Sequence, residues 1–362
     1  MNKIYRSQRI LIIILFFYWM GIYAQKVVDN TSLLYKAEES FKLIAKNCNV
    51  PVVVIDLDSC PVDSMELTTI IDMEKEKPNA KYYIAKPIDV LALKDTILIL
   101  DYQQNAIFAS DYKGNIKRMI GRKGKGPVEF ENPAFLKRNK NYYIVYDHTN
   151  ARIQILDNRF RYVKSLITQF LPLNRNIAVS KDYLFLNSFG NKTPCSIDAY
   201  SLMKKEVKKT DFIDKSFGFT VDMQQYNFAY GMKIAASIED NSLFVVCGSV
   251  PFAFNFNASG KLEYAVKFKG RHVIELTQFN DPSTTKSDKR VSLMGFVNKV
   301  VCTNKYALFS MPGKIYVFDR LNRKIVKALV CKEKSINPLS VSGKTLVLQG
   351  KNIYSAELPV LK

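Results

Sequence analysis

Short apolar runs alternate with polar, turn-forming stretches along most of the chain, and the clearest example lies between residues 88 and 133. It begins with IDVLALKDTILILD, in which two apolar stretches flank a polar turn. It continues with QQNAIFASDYKGNIKRMI, an apolar run followed by a turn and a short exit strand. A glycine-rich basic loop, GRKGKGPVEFENP, ends the unit. This order of strands, turn and loop predicts one four-stranded propeller blade and its connection to the next blade.

A polar turn followed by an apolar run recurs six times in the chain. The copies are LKDTILILD, NKNYYIVYD, SKDYLFLN, EDNSLFVVC, TNKYALFS and SGKTLVLQ, which begin at residues 93, 139, 180, 239, 303 and 342. The first repeats are spaced at the ~40–50 residues that are typical of propeller blades. Later repeats are longer, which we explain by insertions at roughly 211–231 and 270–294. The second insertion is polar and predicts an exposed loop.

The last repeat is short, because only NIYSAELPV follows TLVLQ before the chain ends. A propeller ring closes when the missing strand comes from the other end of the chain, which removes open sheet edges. Two strand-like stretches, VVVIDLD at 52–58 and MELTTIIDM at 65–73, precede the first full repeat. We therefore predict an all-β six-bladed β-propeller over residues 50–362, closed by an N-terminal strand. Residues 25–49 form the lead-in, as a short helix or an irregular segment.

Residues 1–24 have the pattern of a signal peptide. Three basic residues precede an unbroken apolar run at 10–20, and the small residues Gly21 and Ala24 follow it. This order predicts export to the periplasm or the cell surface, with cleavage after Ala24. An uncleaved membrane anchor is the alternative, because Ile22 is bulkier than is usual at the −3 position. No other stretch approaches the ~18 apolar residues that cross a bilayer, so we expect no stable membrane span after cleavage.

The charge of the chain favours an anionic partner. Its 362 residues include 53 Lys and Arg against 33 Asp and Glu, a formal net charge of +20. Nucleic acid is the least suitable anion for an exported protein, which leaves acidic glycans, phospholipids and acidic peptides or proteins. The basic residues recur between predicted strands and do not form one block, which is also the pattern of a solvated basic surface.

The basic loop that begins at Gly121 has neither of the glycine patterns that bind phosphate, GxxxxGK[ST] and GxGxxG. Its glycines permit a tight path from one blade to the next, and Arg122 and Glu129 are placed to pair across it. The predicted structural residues of the loop are Gly121, Gly124, Gly126, Pro127, Glu129 and Phe130. Cations of this loop and of a later segment form the predicted anion-binding set: Arg122, Lys123, Lys125, Lys269 and Arg271.

The sequence IGRKGKGPVEFENP resembles the G-x-x-G-x-G-x-x-x-F-x-x-P connection of NHL-type propeller repeats. It is more closely similar to that of uncharacterised six-bladed β-propeller proteins exported by Bacteroidetes, in which a leader and a strand like VVVIDLD precede the first full blade. Val128 replaces the second glycine that is usual in that loop, which affects local backbone freedom. The resemblance covers roughly residues 50–356. It implies the fold and export, and it brings no catalytic residues.

Candidates for catalysis or metal binding are few. The only histidines, His148 and His272, occupy inequivalent places in their repeats, so we predict neither as a ligand. Carboxylates at strand ends, Asp101, Asp147 and Asp319, are interpreted as turn formers that accept backbone N–H bonds. No nucleophile elbow and no CxxC spacing occurs. We predict no catalytic residue, no metal ligand and no cofactor, with a calcium ion in the channel as the alternative.

The six cysteines are an even number, which in an exported chain permits disulfides. Cys247, Cys302 and Cys331 lie in apolar runs that are typical of buried thiols. Cys48 and Cys60 flank one short extended segment and are the candidate disulfide pair.

Together these observations favour an exported, non-enzymatic binding module for an anionic glycan, a peptide or a protein. Two alternatives stay open. One is a propeller lyase or hydrolase that uses a metal bound in the channel. The other is a sensor-like ectodomain held at the membrane by residues 10–24.

Overall fold

The computed structural model describes residues 30–75, 81–167, 177–188, 196–218, 231–248, 250–271, 273, 297–333 and 335–358. The predicted leader, most of both predicted insertions, Cys195 and His272 lie outside these residues. Within the described part, one helix, α1 (Asn30–Asn47), precedes twenty-eight strands. None of the helices in that part is long and apolar enough to cross a membrane.

Six sheets form the blades of a six-bladed β-propeller, as the repeats predict, and each blade has four antiparallel strands. Blade 1 contains β4 (Pro87–Ala92), β5 (Ile97–Asp101), β6 (Ala106–Ser110) and β7 (Ile116–Ile120). Blade 2 contains β10 (Pro133–Arg138), β11 (Tyr142–Asp147), β12 (Arg152–Asp157) and β13 (Tyr162–Ile167). Blade 3 contains β14 (Ile177–Val179), β15 (Tyr183–Ser188), β16 (Ser196–Ser201) and β17 (Lys208–Thr210).

The second half of the chain repeats this arrangement. Blade 4 contains β18 (Met232–Ala236), β19 (Leu243–Cys247), β20 (Phe252–Phe256) and β21 (Leu262–Lys269). Blade 5 contains β22 (Lys299–Cys302), β23 (Tyr306–Met311), β24 (Lys314–Asp319) and β25 (Lys324–Val330). Blade 6 contains β26 (Asn337–Ser342), β27 (Thr345–Gln349) and β28 (Ile353–Glu357), and its fourth strand comes from the N-terminal segment.

The first strands of the six blades line a central channel. Each contacts the first strand of the next blade, and β26 contacts β4, so the ring is complete. The second strand of each blade is buried on both faces, as all five residues of β5 and of β19 are. These strands therefore appear in the sequence as unbroken apolar runs. The core consists of the apolar layers that pack between neighbouring blades.

The N-terminal segment crosses the outer edges of two blades before it closes the ring. β1 (Val52–Asp56) pairs in parallel with β21, and β2 (Val62–Ser64) pairs in parallel with β25. β3 (Thr68–Ile71) then pairs antiparallel with β28 and completes blade 6. The predicted closure by an N-terminal strand is confirmed, and β3 is that strand. Ile70 and Ile71 are buried between blades 6 and 1, whereas Val52 and Val54 of β1 are exposed.

The lead-in contains a helix that packs on blade 4. The ring of Phe41 stacks on that of Phe252 with the centroids 4.3 Å apart, and Lys267 Nζ lies 2.7 Å from Glu38 Oε1. A turn follows α1, and in it Asn49 adopts a left-handed φ of 52°. Asparagine tolerates this conformation at a helix end better than most residues do.

The described cysteines are free thiols. Cys48 is buried against α1 and blade 4, and burial raises the pKa of its thiol to about 11. Cys60 packs in a different apolar cluster, and its Sγ donates to Leu57 O at 3.1 Å. The extended strand β1 lies between the two cysteines, so the candidate disulfide does not form in this structure.

A glycine in the third turn of blade 1 touches the closing strand. Gly114 has a φ of 82°, and a Cβ at this position would lie 2.1 Å from Ile70 O of β3. The same contact recurs between blades 3 and 4, where a Cβ on Gly260 would lie 2.0 Å from Phe212 O. Only glycine therefore permits this close approach of the turn to the neighbouring blade.

We expect Gly114→Ala to destabilise the ring more than Gly313→Ala. Both glycines have positive φ, which disfavours alanine by about 1–2 kcal/mol, but Gly313 has no atom within 4 Å of its Cβ position. Overpacking against Ile70 should add about 1–3 kcal/mol for Gly114→Ala alone. Urea unfolding of both variants tests this difference, and equal losses would show that the contact with β3 is unimportant.

Candidate functional site

The basic loop between blades 1 and 2 is held by Glu129. Two short strands, β8 (Arg122–Lys123) and β9 (Glu129–Phe130), pair in parallel within it. Arg122 Nε donates to Glu129 Oε1 at 2.8 Å, which confirms the predicted pairing, and Gly126 N donates to Oε2 at 2.8 Å. These two bonds hold the pKa of the Glu129 carboxyl below its ordinary value.

The glycines of this loop leave room for two side chains. A Cβ on Gly121 would lie 2.4 Å from the ring of the buried Phe130, and a Cβ on Gly124 would lie 2.2 Å from Glu129 Oε2. Val128 adopts a φ of 57°, which is unfavourable for a β-branched residue. The departure from glycine at this position therefore places local backbone strain in the loop.

The five predicted anion-binding cations lie on two separate parts of the molecule. Three belong to the loop between blades 1 and 2, whereas Lys269 ends β21 of blade 4 and Arg271 follows it. At least one blade separates the two groups on either route around the ring. Several face carboxylates of their own: Arg122 pairs with Glu129, and Lys269 Nζ lies 3.4 Å from Asp56 Oδ2.

A cavity of about 1070 Å³ occupies the other end of the ring, where the first strand of each blade turns into the second. Each first strand starts after an inter-blade connection and ends at this turn, so the cavity and the basic loop lie at opposite ends of the channel. All six blades contribute to its wall. Backbone and small apolar side chains, such as Ala92, Ala178 and Ala235, form much of that wall.

The rim of the cavity carries a repeated lysine. Lysine occupies the turn between the first and second strands in five of the six blades. Four of these lysines line the cavity, and all four are exposed: Lys94, Lys140, Lys181 and Lys305. Neighbouring turns are joined by hydrogen bonds, from Asn139 Nδ2 to Lys181 O at 2.9 Å and from Lys181 N to Asp240 O at 3.1 Å.

Two further cations, Lys137 and Arg138, lie deeper in the wall. Among the described residues that line the cavity, six are basic and only Glu239 is acidic. The Arg138 guanidinium lies over the ring of Tyr143, 5.1 Å from its centroid. Its Nε is buried and has no hydrogen-bond partner among the described residues. A buried donor of this kind is rare in folded proteins, so the wall contains an unused donor beside the cavity.

A buried charge cluster lies within the channel, next to the cavity. Asp89 of β4 is fully buried, and its Oδ2 accepts hydrogen bonds from Lys137 Nζ at 2.6 Å and from Leu136 N at 3.1 Å. Lys299 Nζ of blade 5 lies 3.8 Å from the other oxygen, Oδ1. Lys233 of blade 4 is half-buried, with its Cε 3.6 Å from the position that a Cβ on Gly248 would occupy.

The environment of the cluster disfavours the charged lysines. Burial lowers the pKa of Lys233 below its ordinary value. Burial also lowers the pKa of Lys299, where attraction to Asp89 opposes the shift and repulsion by Lys137 and Lys233 adds to it. Lys137 and Lys299 thus share one buried carboxylate.

The carboxylates at strand ends have the structural role that the sequence predicts. Asp101 accepts four backbone N–H bonds, for example from Lys86 N at 2.8 Å and from Gln104 N at 2.8 Å. Asp147 accepts from Glu131 N at 2.7 Å, and Asp319 accepts from Asn322 N at 2.9 Å. His148 is buried, and burial lowers its pKa. In the part of the chain that the structure describes, no three His, Cys, Asp or Glu side chains are grouped to hold a metal.

The basic residues that line the cavity were not predicted as a site. The segment 137–140 is visibly basic, but a single repeat gives no indication that it faces a channel. The signal that could have found the rim is the lysine that recurs in LKDT, NKNY, SKDY, NKYA and GKTL, at equivalent places of five repeats. No comparable pattern marks Lys233 and Lys299, which stand near the beginnings of their strands without a counterpart in other blades.

Comparisons with known proteins support the fold. A family model, DUF5128, described as a 6-bladed beta-propeller, matches residues 77–217. A crystal structure from Bacteroides fragilis, of a protein named as a candidate exported protein, is 11% identical, covers 82% of this chain and 88% of that chain, and has a TM-score of 0.51. The expected resemblance to exported six-bladed propellers of Bacteroidetes is thereby confirmed. No curated protein matches the chain.

Two other solved structures are more distant. Virginiamycin B lyase from Staphylococcus aureus is 10% identical, with 81% of this chain and 99% of that chain covered and a TM-score of 0.47. The WD40 domain of Neurospora crassa Pan2 is 13% identical, with 84% and 90% covered and a TM-score of 0.43. At such low identity and similarity neither structure indicates an activity for this chain.

We expect Asp89→Asn to destabilise the protein by about 3–5 kcal/mol. It removes the only carboxylate that the described residues place within 4 Å of Lys137 and Lys299. Asp95→Asn is the matched control. Asp95 is exposed in the turn after the same strand, and its substitution should change the free energy of unfolding by no more than about 0.5 kcal/mol. Urea unfolding at neutral pH measures both; similar values for the two variants would contradict this account of the cluster.

Proposed function

We propose that the protein is an exported binding module that takes an anionic ligand into the axial cavity. The observation that carries this proposal is the lining of the cavity, where, among the described residues, six basic side chains and one acidic side chain meet. Four of the cations come from equivalent turns of different blades. Their fields therefore add at the axis, and a cleft lined by one sign of charge attracts the opposite charge.

The size and wall of the cavity suit a ligand segment larger than a single ion. A volume of about 1070 Å³ is at the upper end of the range of small-molecule pockets. Polar groups such as Asn139, Ser237 and Thr303 alternate with small apolar residues along the wall. The shared chemistry of the ligand is a set of carboxylate or sulfate groups, which an acidic glycan or an acidic peptide can supply.

Export is part of the proposal. It is supported by the pattern of residues 1–24, with its basic start and apolar run, and by the likeness to the candidate exported protein of Bacteroides fragilis. Outside the cell, acidic polysaccharides and acidic protein segments are both available as ligands.

The basic residues of the loop between blades 1 and 2 lie at the opposite end of the ring. That they bind a ligand remains a prediction. Lys123 Nζ is 3.9 Å from Glu131 Oε1, and Arg122 is paired with Glu129. These intramolecular carboxylates compete with any external anion. The loop cations therefore provide a suitable control, because they remove the same charge from a different surface.

We expect the double variant Lys140→Ala/Lys181→Ala to weaken binding of an oligogalacturonate or a polyglutamate peptide. At about 0.7 kcal/mol for each exposed contact, the two substitutions should raise Kd about tenfold. Titration of labelled ligand by fluorescence anisotropy, at low and at moderate salt, measures the effect and shows which of the two ligands is bound.

The control is Lys123→Ala/Lys125→Ala, which removes the same charge from the loop between blades 1 and 2 and should change Kd less than twofold. A loss confined to this control would transfer the site to the loop. Equal losses in both pairs would indicate a general attraction to a basic surface and would contradict a cavity site.

A further inference from the structure

We propose that the axial cavity is closed at its inner end and binds the C-terminus of an acidic peptide, with the terminal carboxylate on Lys137. This inference rests on the proposed function, because it assumes that the anionic ligand enters the axial cavity. It adds that the ligand is a peptide and that the peptide enters by its C-terminal end. Three features support it: the depth of the wall, the ion pairs beneath the wall and the side chains at its inner end.

The wall of the cavity stops at a similar depth in all six blades. Among the described residues, the innermost wall residue of each blade lies within the last four residues of the first strand. These residues are Leu91, Lys137, Ile177, Ile234, Val300 and Leu339. Three steps of about 3.3 Å along a strand give a depth of about 10 Å. The cavity therefore accepts only about three residues of an extended peptide.

Ion pairs cross the channel directly beneath this level. Asp89 Oδ2 of blade 1 accepts from Lys137 Nζ of blade 2 at 2.6 Å, and its Oδ1 lies 3.8 Å from Lys299 Nζ of blade 5. Blades 2 and 5 are opposite each other in a six-bladed ring, so one carboxylate links two opposite walls. Asp89 has no exposed surface, so water does not reach its carboxylate from either side. A polymer cannot pass this level and has to enter the cavity by one of its ends.

The inner end of the cavity combines one cation with five aliphatic side chains. Of the six innermost wall residues, five are leucine, isoleucine or valine, and the sixth is Lys137. The five pack between blades and leave only small areas at the cavity, the largest on Leu91 and Val300 at 9% and 8% of their surface. The hydroxyl groups of a sugar would lose hydrogen bonds to water against such a surface. The inner end therefore favours a peptide with an apolar last side chain over an acidic glycan.

Lys137 is placed to receive the terminal carboxylate. Its ammonium group has three donors, of which Asp89 accepts one, and the side chain is 21% exposed. Lys299 faces the other oxygen of Asp89, so two ammonium groups share one carboxylate among the described residues. A second carboxylate, from the ligand, would balance this charge and would accept a charge-assisted hydrogen bond from Lys137.

The first strands also offer the backbone groups that an extended peptide needs. Each first strand forms the inner edge of its sheet, so the N–H and C=O groups on its free side face the axis. One of these groups is already used within the wall, because Ala92 N donates to Ser340 Oγ at 3.0 Å. A peptide that lies along the axis carries complementary groups along its length. Its acidic side chains would meet the rim lysines, about three residues before its C-terminus.

The first test varies the ligand and leaves the full-length exported protein unchanged. Two fluorescein-labelled oligoglutamate peptides end in leucine, one with a free carboxylate and one with a carboxamide, and fluorescence anisotropy at constant ionic strength gives their Kd. The free acid should bind about tenfold or more tightly than the amide, which lacks the charge-assisted hydrogen bond. A free-acid peptide with one internal glutamine has the same net charge as the amide and should lose less than about threefold. Serine in place of the terminal leucine should weaken binding about fivefold.

The second test varies the protein. Lys137→Met removes the cation at the inner end and should reduce the preference for the free acid over the amide to less than about twofold. Lys305→Met removes an exposed rim lysine and is the matched control: it should weaken both peptides by the same factor and keep the preference. Lys137→Met leaves Asp89 buried without its hydrogen-bonded cation. Asp89→Asn/Lys137→Met removes the pair together and repeats the measurement if the single variant does not fold.

Equal affinity of the unmodified protein for the free acid and the amide would overturn the proposal. A preference that survives Lys137→Met in a folded protein would overturn it as well. The proposed function fails separately. Equal binding of both peptides that Lys305→Met still weakens would support an anionic ligand in the cavity and contradict recognition of a chain end. Binding of an oligogalacturonate without binding of either peptide would contradict the peptide ligand, and no binding of any acidic probe would overturn both proposals.

Discussion

The pairing of β3 with β28 is the interaction on which the remainder of the structure depends. It joins Ile71 to Ile353 across the sheet of blade 6 and so converts a row of sheets into a closed ring. Closure buries Ile70 and Ile71 between blades 6 and 1 and leaves β26 beside β4. The diameter of the channel follows from this contact, because six inner strands must then share one axis. The distance from Asp89 to the lysines of blades 2 and 5 is a consequence of the same closure.

The two ends of the ring differ in how their charges are used. At the end of the inter-blade connections, charged side chains mostly serve the fold: Glu129 holds the loop, and Asp101 and Asp147 accept backbone N–H bonds. At the other end, Glu239 is the only acidic residue among the described residues that line the cavity with the turn lysines. In the part of the chain that the structure describes, carboxylates thus face two of the loop cations at the first end, whereas the turn lysines at the second end are exposed.

Most of the fold was predictable because each blade repeats the same local pattern. The apolar second strands, the polar turns and the short final repeat together predicted six blades and closure from the N-terminus. The choice between VVVIDLD and MELTTIIDM was not predictable, since both have strand patterns. The outcome is decided by burial: Ile70 and Ile71 enter the core, while Val52 and Val54 face outward.

The candidate site was harder to predict from the sequence than the fold, because it forms only when equivalent turns of different blades meet around the axis. A lysine in one turn is indistinguishable from any exposed lysine, and only the ring brings Lys94, Lys140, Lys181 and Lys305 around one opening. Lys299 is harder still to predict, because its position against Asp89 depends on the whole ring and on no local pattern.

The long path of the N-terminal segment also determines when the protein can become complete. β1, β2 and β3 leave the ribosome first, yet their partners β21, β25 and β28 lie some 200 to 290 residues later in the chain. Contacts of such sequence separation form slowly, because the entropy of closing a long loop precedes any gain. Blade 6 therefore cannot be completed until β28 has been made. β3 is therefore synthesised before the strands of all six blades and is among the last to pair.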